Sequence, residues 1–332
     1  MSYGYALTNF PNGITSFGIP IFGSGLPPFT GNYYFCNYAT GNDGNDGSPN
    51  TPFKTITQAY SQATAGNNDV IFIVGNGGTT ATQRLTATLT WAKNATHMIG
   101  LTAPSLFAQR ARISNLTTAT AEINPMMTVS ASGCIFGNFS FFQGVGQSST
   151  AEQLVTITGS RNYFSRVHFG GMGATASSGG AAAATSYCIK FDTGGSENLF
   201  EDCVIGLDTV QRTAANASVL FAAGAGATRN VFRNCIFPMD GLNANTPYFI
   251  DASGAASVDR DNIWQNCYFY NAINSGATAL SVGINPPTGN GTLVLDKCTS
   301  VGLTAWSGAS SYVYATSPTA TASAGGGLGT HP

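Results

Sequence analysis

Asn198-Leu-Phe-Glu-Asp-Cys-Val-Ile, Asn230-Val-Phe-Arg-Asn-Cys-Ile-Phe and Asn262-Ile-Trp-Gln-Asn-Cys-Tyr-Phe are one pattern written three times. Thr292-Leu-Val-Leu-Asp-Lys-Cys-Thr is a fourth, looser copy. The cysteines stand at 203, 235, 267 and 298, intervals of 32, 32 and 31. A fixed period of this size marks a solenoid, in which each repeat is one unit that buries its apolar face only against its copies.

The pattern continues upstream with freer spelling. Asn162-Tyr-Phe-Ser-Arg-Val-His-Phe puts Val167 in the cysteine slot, and Cys134-Ile-Phe-Gly-Asn-Phe-Ser-Phe puts Phe139 there. Further short runs of β-branched and aromatic residues, bounded by Gly, Ser and Asn, read as strands: Met127-Thr-Val, Leu154-Val-Thr-Ile, Tyr187-Cys-Ile-Lys-Phe, Val219-Leu-Phe, Tyr248-Phe-Ile, Ala279-Leu-Ser-Val and Tyr312-Val-Tyr. No stretch after residue 100 keeps a helical period. The expected class is all-β, with two or three short strands per coil. About nine coils between residues 34 and 316 would make a rod about 43 Å long at the spacing of paired strands.

The repeat assigns positions. The core ladder is expected to comprise Phe200, Cys203, Phe232, Cys235, Trp264, Cys267, Leu295 and Cys298, with Phe164 and the residues two places after the slot also inward. The polar residue just before the slot (Asn138, Arg166, Asp202, Asn234, Asn266, Lys297) marks a turn, where Asn and Asp tolerate left-handed backbone angles. Asn162, Asn198, Asn230 and Asn262 form a second column, suited to a hydrogen-bonded amide ladder. The seven cysteines lack cystine-like spacing and are expected as buried, reduced thiols.

Composition narrows the function. Charged residues are 8% of the chain and the formal net charge is −2. Without a basic cluster the electrostatic footprint of nucleic-acid binding is missing. Low charge with 43% apolar residues gives little colloidal repulsion, so self-association or a covering partner is expected. No apolar run is long enough to span a membrane, and no signal peptide is visible in Met1-Ser-Tyr-Gly-Tyr-Ala-Leu-Thr.

Three regions follow. Residues 1–32 hold no charged residue and are dense in rings and prolines. They read as a leader or, given that ring density, as an extended anchoring arm using Tyr3, Tyr5, Phe10, Phe17, Phe22 and Phe29. Residues 33–316 form the rod. Within it, Pro52-Phe-Lys-Thr-Ile-Thr-Gln-Ala-Tyr-Ser-Gln-Ala has the apolar spacing of a short helix, placed to cap the open end of the first coil. Residues 317–332 are a flexible low-complexity tail.

Chemistry is sparse. The chain has four Glu: Glu122, Glu152, Glu197 and Glu201. Glu201, Asp202 and Asp208, or Asp259 and Asp261, could contribute to a groove, but turn acids in such folds are mostly structural. His97, His168 and His331 match neither a zinc pattern nor a Cys-His pairing, and His168 reads as a satisfied surface residue. Asp43, Asn45 and Asp46 alternate as in a Ca²⁺ loop, but the closing Glu is missing and a plain turn is expected. No catalytic residue, metal or cofactor is expected.

The segment Asn42-Asp-Gly-Asn-Asp-Gly-Ser-Pro-Asn-Thr-Pro-Phe-Lys-Thr-Ile-Thr-Gln-Ala, the run Thr96-His-Met-Ile-Gly-Leu and the Asn-Cys repeats resemble right-handed, single-stranded parallel β-helix proteins of the pectate-lyase-like type. The stretch from Phe10 to Phe29 resembles the start of virion structural proteins of tailed bacteriophages. That resemblance implies a homotrimeric, tailspike-like protein without enzymatic activity. It would decorate or cement the capsid, anchored to the major capsid protein and assembled in the host bacterial cytoplasm. The alternative it implies is a tail-borne receptor-binding spike that binds or cleaves a host surface glycan. A free carbohydrate-active enzyme is a third reading.

Overall fold

In the computed structural model the described residues are 31–116, 122–144, 151–174, 180–242, 246–272, 279–308 and 310–316. The arm residues Tyr3, Tyr5, Phe10, Phe17, Phe22 and Phe29, and the tail 317–332, lie outside them.

The chain winds into a right-handed parallel β-helix with three sheets of ten, nine and eight strands. Each full coil contributes to sheet 1, then sheet 2, then sheet 3. Phe136, Phe164, Phe200, Phe232, Trp264 and Leu295 occupy equivalent rungs of sheet 1. Eight coils carry a strand in all three sheets. Tyr33–Cys36 and Val313–Ala315 extend sheet 1 at its two ends. The run at Tyr312 therefore belongs to sheet 1, paired with Leu293–Asp296, and Leu303–Ser307 closes sheet 3 instead. Its alternation reads the same for either sheet; only its partner decides.

The core is one continuous column. Phe164, Phe200, Phe232 and Trp264 stack face to face, with ring centroids 4.6, 4.5 and 5.0 Å apart. Rings from sheet 3 meet this stack edge-on, as Phe191 does against Phe200 at 6.0 Å. Both geometries suit the aromatic quadrupole. Cys203, Cys235, Cys267 and Cys298 are buried beside the stack, and each thiol donates to the carbonyl of the ring residue one coil earlier: Phe164, Phe200, Phe232 and Trp264. All seven cysteines are free and buried.

The corner between sheets 1 and 2 is made by one residue per coil. Asn138, Arg166, Asp202, Asn234, Asn266 and Lys297 all have φ between 52° and 58°. A single left-handed residue turns the strand sharply enough for the next inward position to be the slot. At the opposite end of the sheet 1 strands, Asn162, Asn198, Asn230 and Asn262 are buried. The first three each donate their main-chain N–H to the next one's side-chain oxygen, at 3.0, 3.0 and 3.1 Å, and the Asn262 N–H donates to the Thr292 carbonyl at 2.9 Å.

A seven-residue helix, α1 (Ile56–Gln62), packs Ile56 and Ala59 against the first coil. It is shorter than the sequence pattern and starts after Pro52, because Thr55 is its cap: the Thr55 hydroxyl accepts from the Gln58 N–H. Asp43 accepts from the main-chain N–H groups of Lys54 and Thr55 and from the Thr55 hydroxyl. The carboxylate that resembled a Ca²⁺ ligand is thus occupied in pinning the helix start. Phe53 pairs with Cys36 and covers the outer edge of the first strand.

Candidate functional site

Alternation along the sheet 1 strands puts the residues flanking the ring ladder on the outer face. One outer column runs Tyr163, Leu199, Val231, Ile263, Val294, Tyr314. Its members are half-buried, and Tyr314 is 56% exposed. The neighbouring column is polar and internally bonded. Tyr163 donates its hydroxyl to Glu201 at 2.5 Å, Arg233 reaches Glu201 at 3.4 Å and Gln265 at 3.3 Å, and Gln265 donates to Asp296 at 3.2 Å. Glu201 raises the Tyr163 phenol to about 12, after burial itself. A third polar column, beside the asparagines, alternates in sign: Glu197 pairs with Arg161 at 2.8 Å and Arg229 at 2.9 Å. These pairs are solvated and contribute little stability.

The acids singled out in the sequence therefore do not converge. Glu201 is tied to Tyr163 and Arg233. Asp208 accepts from Tyr270 at 2.6 Å, and Asp259 pairs with its neighbour Arg260. Among the described residues no cluster of three His, Cys, Asp or Glu side chains could hold a metal ion.

Two acids do meet elsewhere. Glu122 and Glu152 approach one another at the corner between sheets 2 and 3, and Glu152 is fully buried. Burial first, and Glu122 second, push the Glu152 carboxyl up to about 9, so at neutral pH it holds a proton unless another positive charge takes its place. The sequence separates the two by 30 residues in corner segments of variable length, where the repeat gives no register.

Both described histidines are inside rather than on the surface. His168 is 4% exposed: its Nδ1 accepts the Ala108 N–H at 3.0 Å and its Nε2 donates to the Gly206 carbonyl at 3.1 Å. His97 accepts the Ile135 N–H at 3.0 Å and faces Asn68 at 3.3 Å. Each ring is thus fixed as the neutral Nε2–H tautomer, and burial lowers both to about 4. This is hydrogen-bond satisfaction across coils, not proton-transfer machinery. Over His168 lies Phe107, edge-on at 5.7 Å and 43% exposed, next to the exposed Leu106.

A family model described as "Protein of unknown function (DUF1565)" matches residues 39–84, the turn, helix and first coil. No curated protein matches the chain. Among solved structures, pectate lyase Pel9A aligns with a TM-score of 0.55 at 15% identity, over 85% of this chain and 65% of that one. The chain thus spans about two thirds of that enzyme's length. Pectin methylesterase from Aspergillus niger aligns at 0.48 and 12% identity, over 89% and 86% of the two chains. The tailspike protein of Acinetobacter phage vB_ApiP_P1 aligns at 0.37 and 12% identity, over 74% and 50%. The fold is pectate-lyase-like.

Proposed function

We propose that this chain is a non-enzymatic structural protein of a bacteriophage virion, a tailspike-like rod that forms a homotrimer and decorates the capsid through its N-terminal arm. The observation that carries the assembly part is the outer face of sheet 1. Leu199, Val231, Ile263, Val294 and Tyr314 make a partly exposed apolar column several coils long, beside a polar column whose charges are already paired. Such a face gains by meeting a copy of itself, and 8% charged residues offer little repulsion against it. The capsid and the arm enter through the phage-like stretch Phe10 to Phe29 and the ring density of residues 1–32.

Sedimentation of the purified chain tests the trimer. Trimeric mass in the wild type and monomeric mass in a V231K/I263K double variant support it; a wild-type monomer rejects it. Cryo-microscopy of particles carrying the protein tests the location. Hundreds of copies on the shell support the reading, and a few tens of copies on the tail replace it with the receptor-binding spike.

That second reading has one observation of its own. Exposed Phe107 and Leu106 on an otherwise polar surface offer an apolar platform on which a sugar ring could stack. Binding of host surface polysaccharide by the wild type but not by an F107A variant, with or without release of reducing ends, would favour it.

A further inference from the structure

The corner between sheets 2 and 3 holds more polar atoms than it satisfies. Asn115 ends the strand Arg112–Asn115, and Gln143 immediately follows the strand Ser140–Phe142. The two strands pair in parallel with Ser114 opposite Phe142, so Asn115 and Gln143 occupy successive rungs. Each is followed by an acid that enters sheet 3: Glu122 on the first coil, Glu152 on the second. The Asn115 side-chain amide donates to Glu122. The Gln143 amide donates to the carbonyl of Ile123 at 2.8 Å and to Asn124 at 3.2 Å. Glu152 accepts the Ala174 N–H at 3.1 Å through one oxygen.

Three acceptors are left over. Asn115 Oδ1, Gln143 Oε1 and Glu152 Oε2 find no hydrogen-bond donor, although these residues are 2%, 0% and 0% exposed. Buried polar atoms without partners are rare enough to need an explanation. All three are oxygens; Asn115 bonds Glu122, Glu152 lies against Glu122, and Gln143 bonds the carbonyl of Ile123, the residue after Glu122. The Arg84 guanidinium bonds the main-chain carbonyl of Asn115 at 3.0 Å. Glu152 forms no ion pair with any described residue.

We infer that this corner is a binding site for one hard divalent cation, with Glu122, Glu152, Asn115 Oδ1 and Gln143 Oε1 as its oxygen donors. Two carboxylates balance a double positive charge, and the absence of nitrogen and sulfur donors selects against softer metals. Ca²⁺ fits better than Mg²⁺, because carboxylates of either denticity and amide oxygens suit its flexible coordination of six to eight oxygens. The ion would tie two coils together at a corner where the segments have no common length.

The test uses the full chain, stripped with chelator and titrated with CaCl₂ by calorimetry, with thermal unfolding in parallel. One Ca²⁺ per chain and a rise in melting temperature of several degrees are expected. E152Q and N115A, each checked for native circular dichroism, should weaken binding at least tenfold, whereas D43A should not. No binding by the wild type means that a shared proton and water fill the gap, and overturns the inference. Undiminished binding in folded E152Q overturns it equally. Should both corner variants fail to fold, the wild-type stoichiometry together with loss of binding in E122Q decides.

Discussion

Asn230 holds Asn198 twice: its Oδ1 accepts the Asn198 main-chain N–H at 3.0 Å and the Asn198 side-chain Nδ2 at 3.0 Å. Asn230 in turn donates to the Gly195 carbonyl and receives its own main-chain acceptor from Asn262. Its Nδ2 also donates to Asn262 Oδ1 at 3.0 Å, so one side chain serves four groups on the two neighbouring coils. Replacing it with Ala leaves donors stranded, at about 1–3 kcal/mol per buried group. N230A should lower stability by about 3 kcal/mol in urea unfolding. A loss within 0.5 kcal/mol would mean that water enters the ladder freely.

The ring stack makes a sharper demand. Phe200 contacts Phe164 and Phe232 face to face and Phe191 edge-on, with no exposed surface. F200A should cost about 3–5 kcal/mol, and F200L less, because the cavity is smaller. In a solenoid each coil contacts chiefly its neighbours. Hydrogen exchange should therefore rise most in the strands at Phe164, Phe200 and Phe232 and least near Val70. Uniform loss of protection would contradict this.

Thiol chemistry gives a simple readout. All seven cysteines are buried, and burial pushes the Cys188 and Cys235 thiols above their ordinary range. Buried neutral thiols react slowly. The native chain should show none of its seven thiols to an aromatic disulfide reagent within minutes, and all seven in guanidinium. A fast-reacting native thiol would place one slot at the surface.

Acid should loosen the rod through its histidines. His97 and His168 titrate at about 4 when folded against 6.5 when unfolded, so between those values the unfolded chain binds more protons. Stability is then full above pH 6.5 and falls as pH drops towards 4, by on the order of 3 kcal/mol per ring. In chelator, Glu152 works the other way over part of this range, since its raised value favours the folded state in acid. Comparing wild type with H168Q isolates the ring: the variant should have the shallower acid slope between pH 6.5 and 4. Parallel slopes would show that His168 is not the group responsible.

Periodic features were legible in the sequence because the period itself carried them. The cysteine slots, the left-handed corner from Asn138 to Lys297 and the asparagine column follow directly from copies set 28 to 36 residues apart. Features that depend on non-repeating segments were not legible. His168 looks like an exposed neighbour of Val167 until the loop carrying Phe107 and Ala108 folds over it. Glu122 and Glu152 look unrelated until the corners bring them together. The strand at Val313 has the right alternation, but its sheet is decided only by its pairing with Leu293–Leu295.

The interchangeable asparagines carry a consequence for the length of the molecule. Asn198 hands Asn162 the same oxygen that Asn230 hands Asn198, so removing residues 198–229 would bring Asn230 to the vacated place with its bond to Asn162 re-formed. Phe232 would then face Phe164, and Cys235 would reach the Phe164 carbonyl in place of Cys203. The rod is therefore countable: evolution or an engineer can shorten or lengthen it by whole turns, and the loops already absorb copies 28 to 36 residues apart, while a residue gained or lost between the asparagine and the cysteine slot would throw that turn's inward and outward positions out of step.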